Sequence, residues 1–154
     1  MRFWRLSTAP YAEAFDGGYG LHYDGRWNAV GDPVTYCATV PSLCVLEKLV
    51  HTESIDDLPE DLQMIEYEAP DALLVEIWES DDLPPDWRRN GLDTRDRGSN
   101  WLRGATAPLL RVPSVVVAEP GALDRNILIN HRHPEHKRIV VRDIRPFEID
   151  PRLL

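Results

Sequence analysis

The sequence predicts an α+β domain built on a curved, mixed sheet with a few helices. Short runs rich in β-branched and aromatic residues recur along the chain, among them Val34-Thr35-Tyr36-Cys37-Ala38 and Leu109 to Ala118, and these read as strands. Two stretches carry helix signals instead, Pro41 to His51 and Thr94 to Gly104. No internal repeat or low-complexity segment appears, and 154 residues suit one domain, 1–154, with a sizeable core.

Taken in order, Arg2-Phe3-Trp4-Arg5-Leu6 alternates as a first strand. Residues 16–33 hold Gly17, Gly18, Gly20, Gly25, Gly31 and Pro33, a long glycine-punctuated loop of the kind that carries function. Val34 to Ala38 is the second strand. Pro41 fits the first turn of a helix, with Thr39 as its cap. On that helix Glu47 lies about 40° round the axis from Leu43 and about 60° from Val50, so its carboxylate borders the buried face. Gln63 to Ala69 and Leu73 to Trp78 are further strands, parted by Ala69-Pro70-Asp71, and Pro84-Pro85 ends that segment. Gly104 closes the second helix. Leu109 to Ala118 is a buried strand in which Pro113 demands an edge or a bulge. Ile127 to Asn130 and Ile139 to Val141 complete the set.

Charge is distributed unevenly. No Lys or Arg occurs between Leu49 and Trp87, whereas Glu53 to Asp86 holds 13 of the 26 acids; from Trp87 onward 13 basic residues face 8 acidic ones. A net charge of −9 argues against nucleic acid as substrate, because binding phosphate backbones needs a basic face. The acidic middle is either a solvated surface or a docking site for a protein partner. No stretch approaches the 18 or so apolar residues of a membrane helix, and Met1-Arg2-Phe3-Trp4-Arg5 leads into no signal-like segment. Cys37 and Cys44, both in apolar surroundings, read as reduced core residues of a cytoplasmic protein.

Four polar residues stand in unusual contexts. Arg26 lies in Gly25-Arg26-Trp27-Asn28, Tyr36 on the second strand, Glu47 alone in an apolar helix, and Ser114 as a lone hydroxyl in Val112-Pro113-Ser114-Val115-Val116-Val117. Elements that should pack together would deliver them to one site. Each also has an ordinary alternative: a surface arginine, a strand aromatic, a helix-surface ion pair with Lys48 or His51, a hydroxyl bonded to its own backbone. His131, His133 and His136 have ligand-like chemistry, yet Arg132, Pro134 and Lys137 between and beside them favour a surface loop, so no metal is expected. Ser114 lacks the flanking glycines of a nucleophile elbow. Asp16-Gly17-Gly18-Tyr19-Gly20 lacks the Gly-Lys-Ser/Thr of a P-loop.

The chain resembles the RES domain family, bacterial toxins named for an arginine, a glutamate and a serine. The likeness runs from Trp4-Arg5-Leu6 through Gly25-Arg26-Trp27-Asn28, Tyr36, Leu46-Glu47, His51, Asp86-Trp87-Arg88, Gly98, Trp101-Leu102 and Val112-Pro113-Ser114 to Asn130, His133-Pro134, Phe147 and Asp150-Pro151-Arg152-Leu153. Asn130-His131-Arg132-His133-Pro134 departs from the family's Asn-Pro-x-His-Pro by lacking the first proline. The resemblance implies the fold of ADP-ribosyltransferase toxins, with NAD clamped in a cleft between two sheets. It also implies a toxin of a type II toxin–antitoxin system, partnered by a helix-turn-helix antitoxin whose C-terminal part plugs the cleft. NAD is then a substrate and no cofactor stays bound. The implied activity is that of an NAD glycohydrolase or NAD phosphorylase, with inorganic phosphate as a possible co-substrate; the alternative is ADP-ribosyl transfer to a cellular protein.

The chemistry fits such residues. Cleaving the nicotinamide–ribose bond passes through an oxocarbenium-like state, and nicotinamide leaves as a neutral base that needs no general acid. One carboxylate is enough to stabilise the positive charge and hold ribose hydroxyls. The resemblance assigns that role to Glu47, the pyrophosphate to Arg26 with Arg5 as second cation, the nicotinamide ring to Tyr36, and a positioning hydroxyl to Ser114. Trp27 is expected at the cleft mouth, and Asn130 among the substrate-binding residues.

Overall fold

The computed structural model describes residues 1–153. Seven strands run in the order β4-β5-β6-β2-β1-β3-β7: β1 Arg2–Thr8, β2 Val34–Ala38, β3 Leu62–Glu68, β4 Val75–Ile77, β5 Leu109–Pro113, β6 Arg125–Asn130 and β7 Val140–Pro146. All neighbours are antiparallel except β4 and β5. Helices α1 Ala9–Ala12, α2 Gly18–His22, α3 Pro41–Leu49 and α4 Gly91–Gly104 flank the sheet. The expected α+β class holds. The two expected sheets are one hydrogen-bonded sheet, but its halves, β4-β5-β6-β2 and β1-β3-β7, meet at the single register pair Trp4↔Ala38.

Strand parity sorts the core. Trp4 pairs with Ala38, and Tyr36 lies two residues along β2, so these side chains share a face. Phe3, Cys37, Ile65, Tyr67, Ile127 and Ile129 pack on the opposite face. On the first face Trp27, Trp87, Trp101, Leu102, Leu110 and Leu128 form a second cluster, and Leu43, Cys44 and Met64 a third beneath α3. Both cysteines are free and buried. Cys44 donates to the Trp4 carbonyl, and burial pushes its thiol up to about 12.

Several elements depart from the sequence expectation for identifiable reasons. The glycine-rich loop contains α2, entered through Gly17 at φ 71°, where a side chain would also strike the Pro33 backbone. Val40, not Thr39, precedes α3; the Thr39 hydroxyl instead donates to the Leu123 carbonyl and accepts from the Arg125 N–H, pinning the start of β6. Helix α4 begins at Gly91, because Asn90 Oδ1 caps the Asp93 N–H. Its left-handed terminal residue is Ala105 rather than Gly104. Strand β5 stops at Pro113, two residues beyond Arg111, the last residue that β4 pairs. Proline therefore sits where one side of the strand is already vacant.

The acidic middle is partly neutralised from within. Glu66 and Glu68 on β3 pair with Arg142 and Arg145 on β7, and Glu79 pairs with Arg125. Asp57 and Asp82 close capping boxes. Three acids of the middle segment are thus matched by arginines from the later part of the chain.

Candidate active site

Four segments converge on the face that carries Tyr36. Glu47 projects from α3, half-buried, as its helical angle requires. Its Oε1 accepts from Ser114 Oγ at 2.9 Å and from Asn126 Nδ2 at 2.9 Å. Glu47 Oε2 has no hydrogen-bond partner among the described residues and is not among the buried polar atoms left unpaired. One oxygen is fixed and the other faces outward.

Ser114 is fully buried and is held on both sides. Its Oγ accepts from the backbone N–H groups of Val116 and Val117 at 3.0 and 3.2 Å while donating to Glu47. The backbone turns here as the hydroxyl captures those donors, so the β-branched run ends its strand life early. Ser114 acts on Glu47 and has no hydrogen left to give to another group. Asn126 faces the same side because it pairs with Ala38, two residues from Tyr36. Only strand register reveals it; in sequence it is one polar residue before an apolar run.

Arg26 reaches this site from the glycine-rich loop. Its guanidinium donates to the carbonyls of Trp87 at 3.0 Å and Arg88 at 3.3 Å, and no carboxylate lies in ion-pair range of it among the described residues. Burial lowers its pKa, while the charge of Glu47 and the Tyr36 phenol act in the opposite sense. The Tyr36 hydroxyl donates to Asn28 Oδ1 at 2.7 Å and accepts from the Trp27 N–H at 3.1 Å. Burial raises the Tyr36 pKa, keeping the phenol neutral.

Helix α4 locks the loop that holds Arg26. Arg95 donates to the Gly25 carbonyl and pairs with Asp24 at 2.7 Å, and Ser99 Oγ accepts from the Ala29 N–H at 2.7 Å. Gly98 lies against the Trp27 carbonyl with no space for a Cβ. Below, Asp32, 1% exposed, accepts both arms of Arg103 and one of Arg132.

Three expected residues fall elsewhere. Arg5 points to the other face, one residue past Trp4, where its Nη2 donates to the carbonyls of Tyr11, Ala12 and Ala14 and its charge lies over the Tyr67 ring. Trp27 is 1% exposed, packed against Trp78 and Trp87 beneath α4 rather than at a cleft mouth. Asn130 is fully buried and ties the Leu102 carbonyl to the Arg132 N–H. Its amide nitrogen joins β6 to α4, and its oxygen holds the turn that follows β6. Among the described residues no three His, Cys, Asp or Glu side chains form a metal-binding group. His133 and His136 bond within their own turn.

A family model described as RES domain matches residues 2–150. The chain is 38% identical to a Prs ADP-ribosylating toxin of Sphingobium sp. (strain YBL2), covering 99% of this chain and 96% of that protein. It is 36% identical to a protein named Toxin Res of Pseudomonas putida, over 95% of this chain and 97% of the relative. A crystal structure of the M. tuberculosis MbcT–MbcA toxin–antitoxin complex contains a chain with the same fold, at TM-score 0.72 and 16% identity, covering 99% of this chain and 85% of that one. Glu47, Ser114 and Arg26 thus lie within a matched region spanning nearly the whole chain, and the protein belongs to the RES domain family.

Proposed function

We propose that this protein is the toxin of a toxin–antitoxin pair and cleaves NAD at the nicotinamide–ribose bond. The observation that carries this reading is the Glu47 carboxylate, fixed through one oxygen by Ser114 and Asn126 while the other oxygen stays open. Nicotinamide departs with the bonding electron pair on its ring nitrogen, leaving positive charge on the ribose. A preorganised anion with no reorganisation to undergo stabilises that charge where it develops. Arg26, held by two carbonyls and free of any carboxylate in ion-pair range, is available for the pyrophosphate. Water then adds at the anomeric carbon and loses a proton, giving ADP-ribose; inorganic phosphate gives the 1-phosphate.

A second reading keeps the first step and changes the acceptor to a cellular protein. The name of the Sphingobium relative, an ADP-ribosylating toxin, favours it. The partner in either case is a helix-turn-helix antitoxin whose C-terminal part covers the site, in line with a structural neighbour solved as a toxin–antitoxin complex. Purified, antitoxin-free protein is incubated with NAD, and nicotinamide release is followed with and without phosphate. Release is expected; its absence from folded protein would falsify the glycohydrolase and phosphorylase reading, whereas transfer needs an acceptor protein. NAD labelled in the adenosine half, added with cell lysate, separates the two, since only a transferase leaves label on protein.

A further inference from the structure

The second cation expected at this site is Arg5, which lies on the opposite face. Another arginine borders the site instead. The carbonyls that hold the Arg26 guanidinium belong to Trp87 and Arg88, at 3.0 and 3.3 Å. The Arg88 side chain reaches the turn after β5, where its Nη2 donates to the Val115 carbonyl at 3.1 Å. Val115 directly follows Ser114, whose hydroxyl holds Glu47, and its side chain packs, like Tyr36, against the cluster on that face. Arg88 thus touches the Arg26 guanidinium through its backbone and the Ser114 turn through its side chain.

The segment that carries Arg88 is well tied down. The N–H groups of Trp87, Arg89 and Asn90 close it on the carbonyls of Pro84 and Asp86, and Trp87, 5% exposed, anchors it against Trp27. Arg88 itself is exposed and spends a single nitrogen on Val115. Acids are near along the chain, at Glu79, Asp81, Asp82 and Asp86, yet no carboxylate lies in ion-pair range of Arg88 among the described residues. Arg26 is unpaired likewise. In a chain of net charge −9, two unneutralised guanidinium groups joined through one turn make a local positive spot that attracts an anion. Arg89, next in the chain, has no side-chain hydrogen bond among the described residues, so only Arg88 is held toward the site.

We infer that Arg88 is a second phosphate-binding residue, which closes with Arg26 on the pyrophosphate of the substrate. The inference rests on the NAD reading above. Each phosphate of a dinucleotide carries negative charge, and a guanidinium with unspent N–H groups recognises it by charge-assisted hydrogen bonds. Arg26 supplies one such group, and Arg88 supplies the other.

Binding of ADP-ribose, measured by calorimetry, tests this without need of cleavage or an acceptor. Arg88→Gln keeps a donor for the Val115 carbonyl but loses the charge, whereas Arg88→Lys keeps both. Arg88→Gln should bind ADP-ribose about tenfold more weakly or worse, the scale of a lost hydrogen bond to a charged group. Arg88→Lys should lie between Arg88→Gln and the unmodified protein. Arg89→Gln, which removes the same charge from the neighbouring position, should bind within twofold of the unmodified protein. If Arg88→Gln binds as well as Arg88→Lys, or Arg89→Gln binds as weakly as Arg88→Gln, Arg88 only ties two turns together and the NAD reading stands. If the unmodified protein releases nicotinamide yet binds no ADP-ribose, the role of Arg88 falls alone. If it does neither, both fall together.

Discussion

One face of the central strands presents Tyr36, Asn126 and the Glu47 carboxylate, while the other presents Arg5, Cys37, Tyr67 and His131. Both assemblies hold ionisable and aromatic side chains in partial burial. They differ in what is left over. On the first face the polar groups satisfy one another and leave Glu47 Oε2 and part of the Arg26 guanidinium open outward. On the second, Arg5 Nη2 is consumed by three carbonyls, and Arg5 Nε, the Tyr67 hydroxyl and His131 Nδ1 are buried with no hydrogen-bond partner among the described residues. A site needs polar groups that are held yet unspent; groups that are merely gathered belong to the core.

The largest expected effect breaks that comparison directly. Glu47→Gln should lower kcat/KM for nicotinamide release by about 10²-fold or more, the usual cost of removing a stabilising electrostatic group. The thermal midpoint should barely move, since the amide can still accept from Ser114 and Asn126. A variant with near-normal turnover would refute the assignment of Glu47.

Arg5→Met probes the other face. The carbonyls of Tyr11, Ala12 and Ala14 lose their donor, so urea denaturation should show a loss of about 1–3 kcal/mol. Turnover of the folded fraction should change less than threefold. An activity loss matching that of Glu47→Gln would mean that the two faces cooperate in catalysis.

A third effect is on pH dependence. Burial, then the neighbouring His136, lowers the His131 pKa from 6.5 to about 4. Folding thus opposes protonation of this ring, so its contribution is complete above pH 6.5 and is lost progressively as the pH falls toward 4. Thermal midpoints measured across that window should decline less steeply for His131→Gln than for the unmodified protein. Parallel curves would show that the acid sensitivity arises elsewhere.

Much of this difference was legible in the residues and some was not. Glu47 stood out because an acid bordering an apolar helical face cannot be wholly solvated, and Ser114 because a lone hydroxyl in a β-branched run must find a partner. Arg5 was misplaced because sequence alternation says which residues share a face but not which face meets the site. That required the Trp4↔Ala38 register. Asn126 was missed for the same reason, since its role follows from pairing with Ala38 across eighty-odd positions. The true start of α4 and the early end of β5 depend on the side chains of Asn90 and Ser114 capturing backbone N–H groups, choices that tertiary packing decides.

The residues of the candidate site come from positions 26, 36, 47, 114 and 126, and almost every strand ladder joins segments far apart along the chain. Such topology folds slowly. During translation Asn126 must emerge before the Glu47 carboxylate has its second donor, so the candidate site is incomplete until the final fifth of the chain is made.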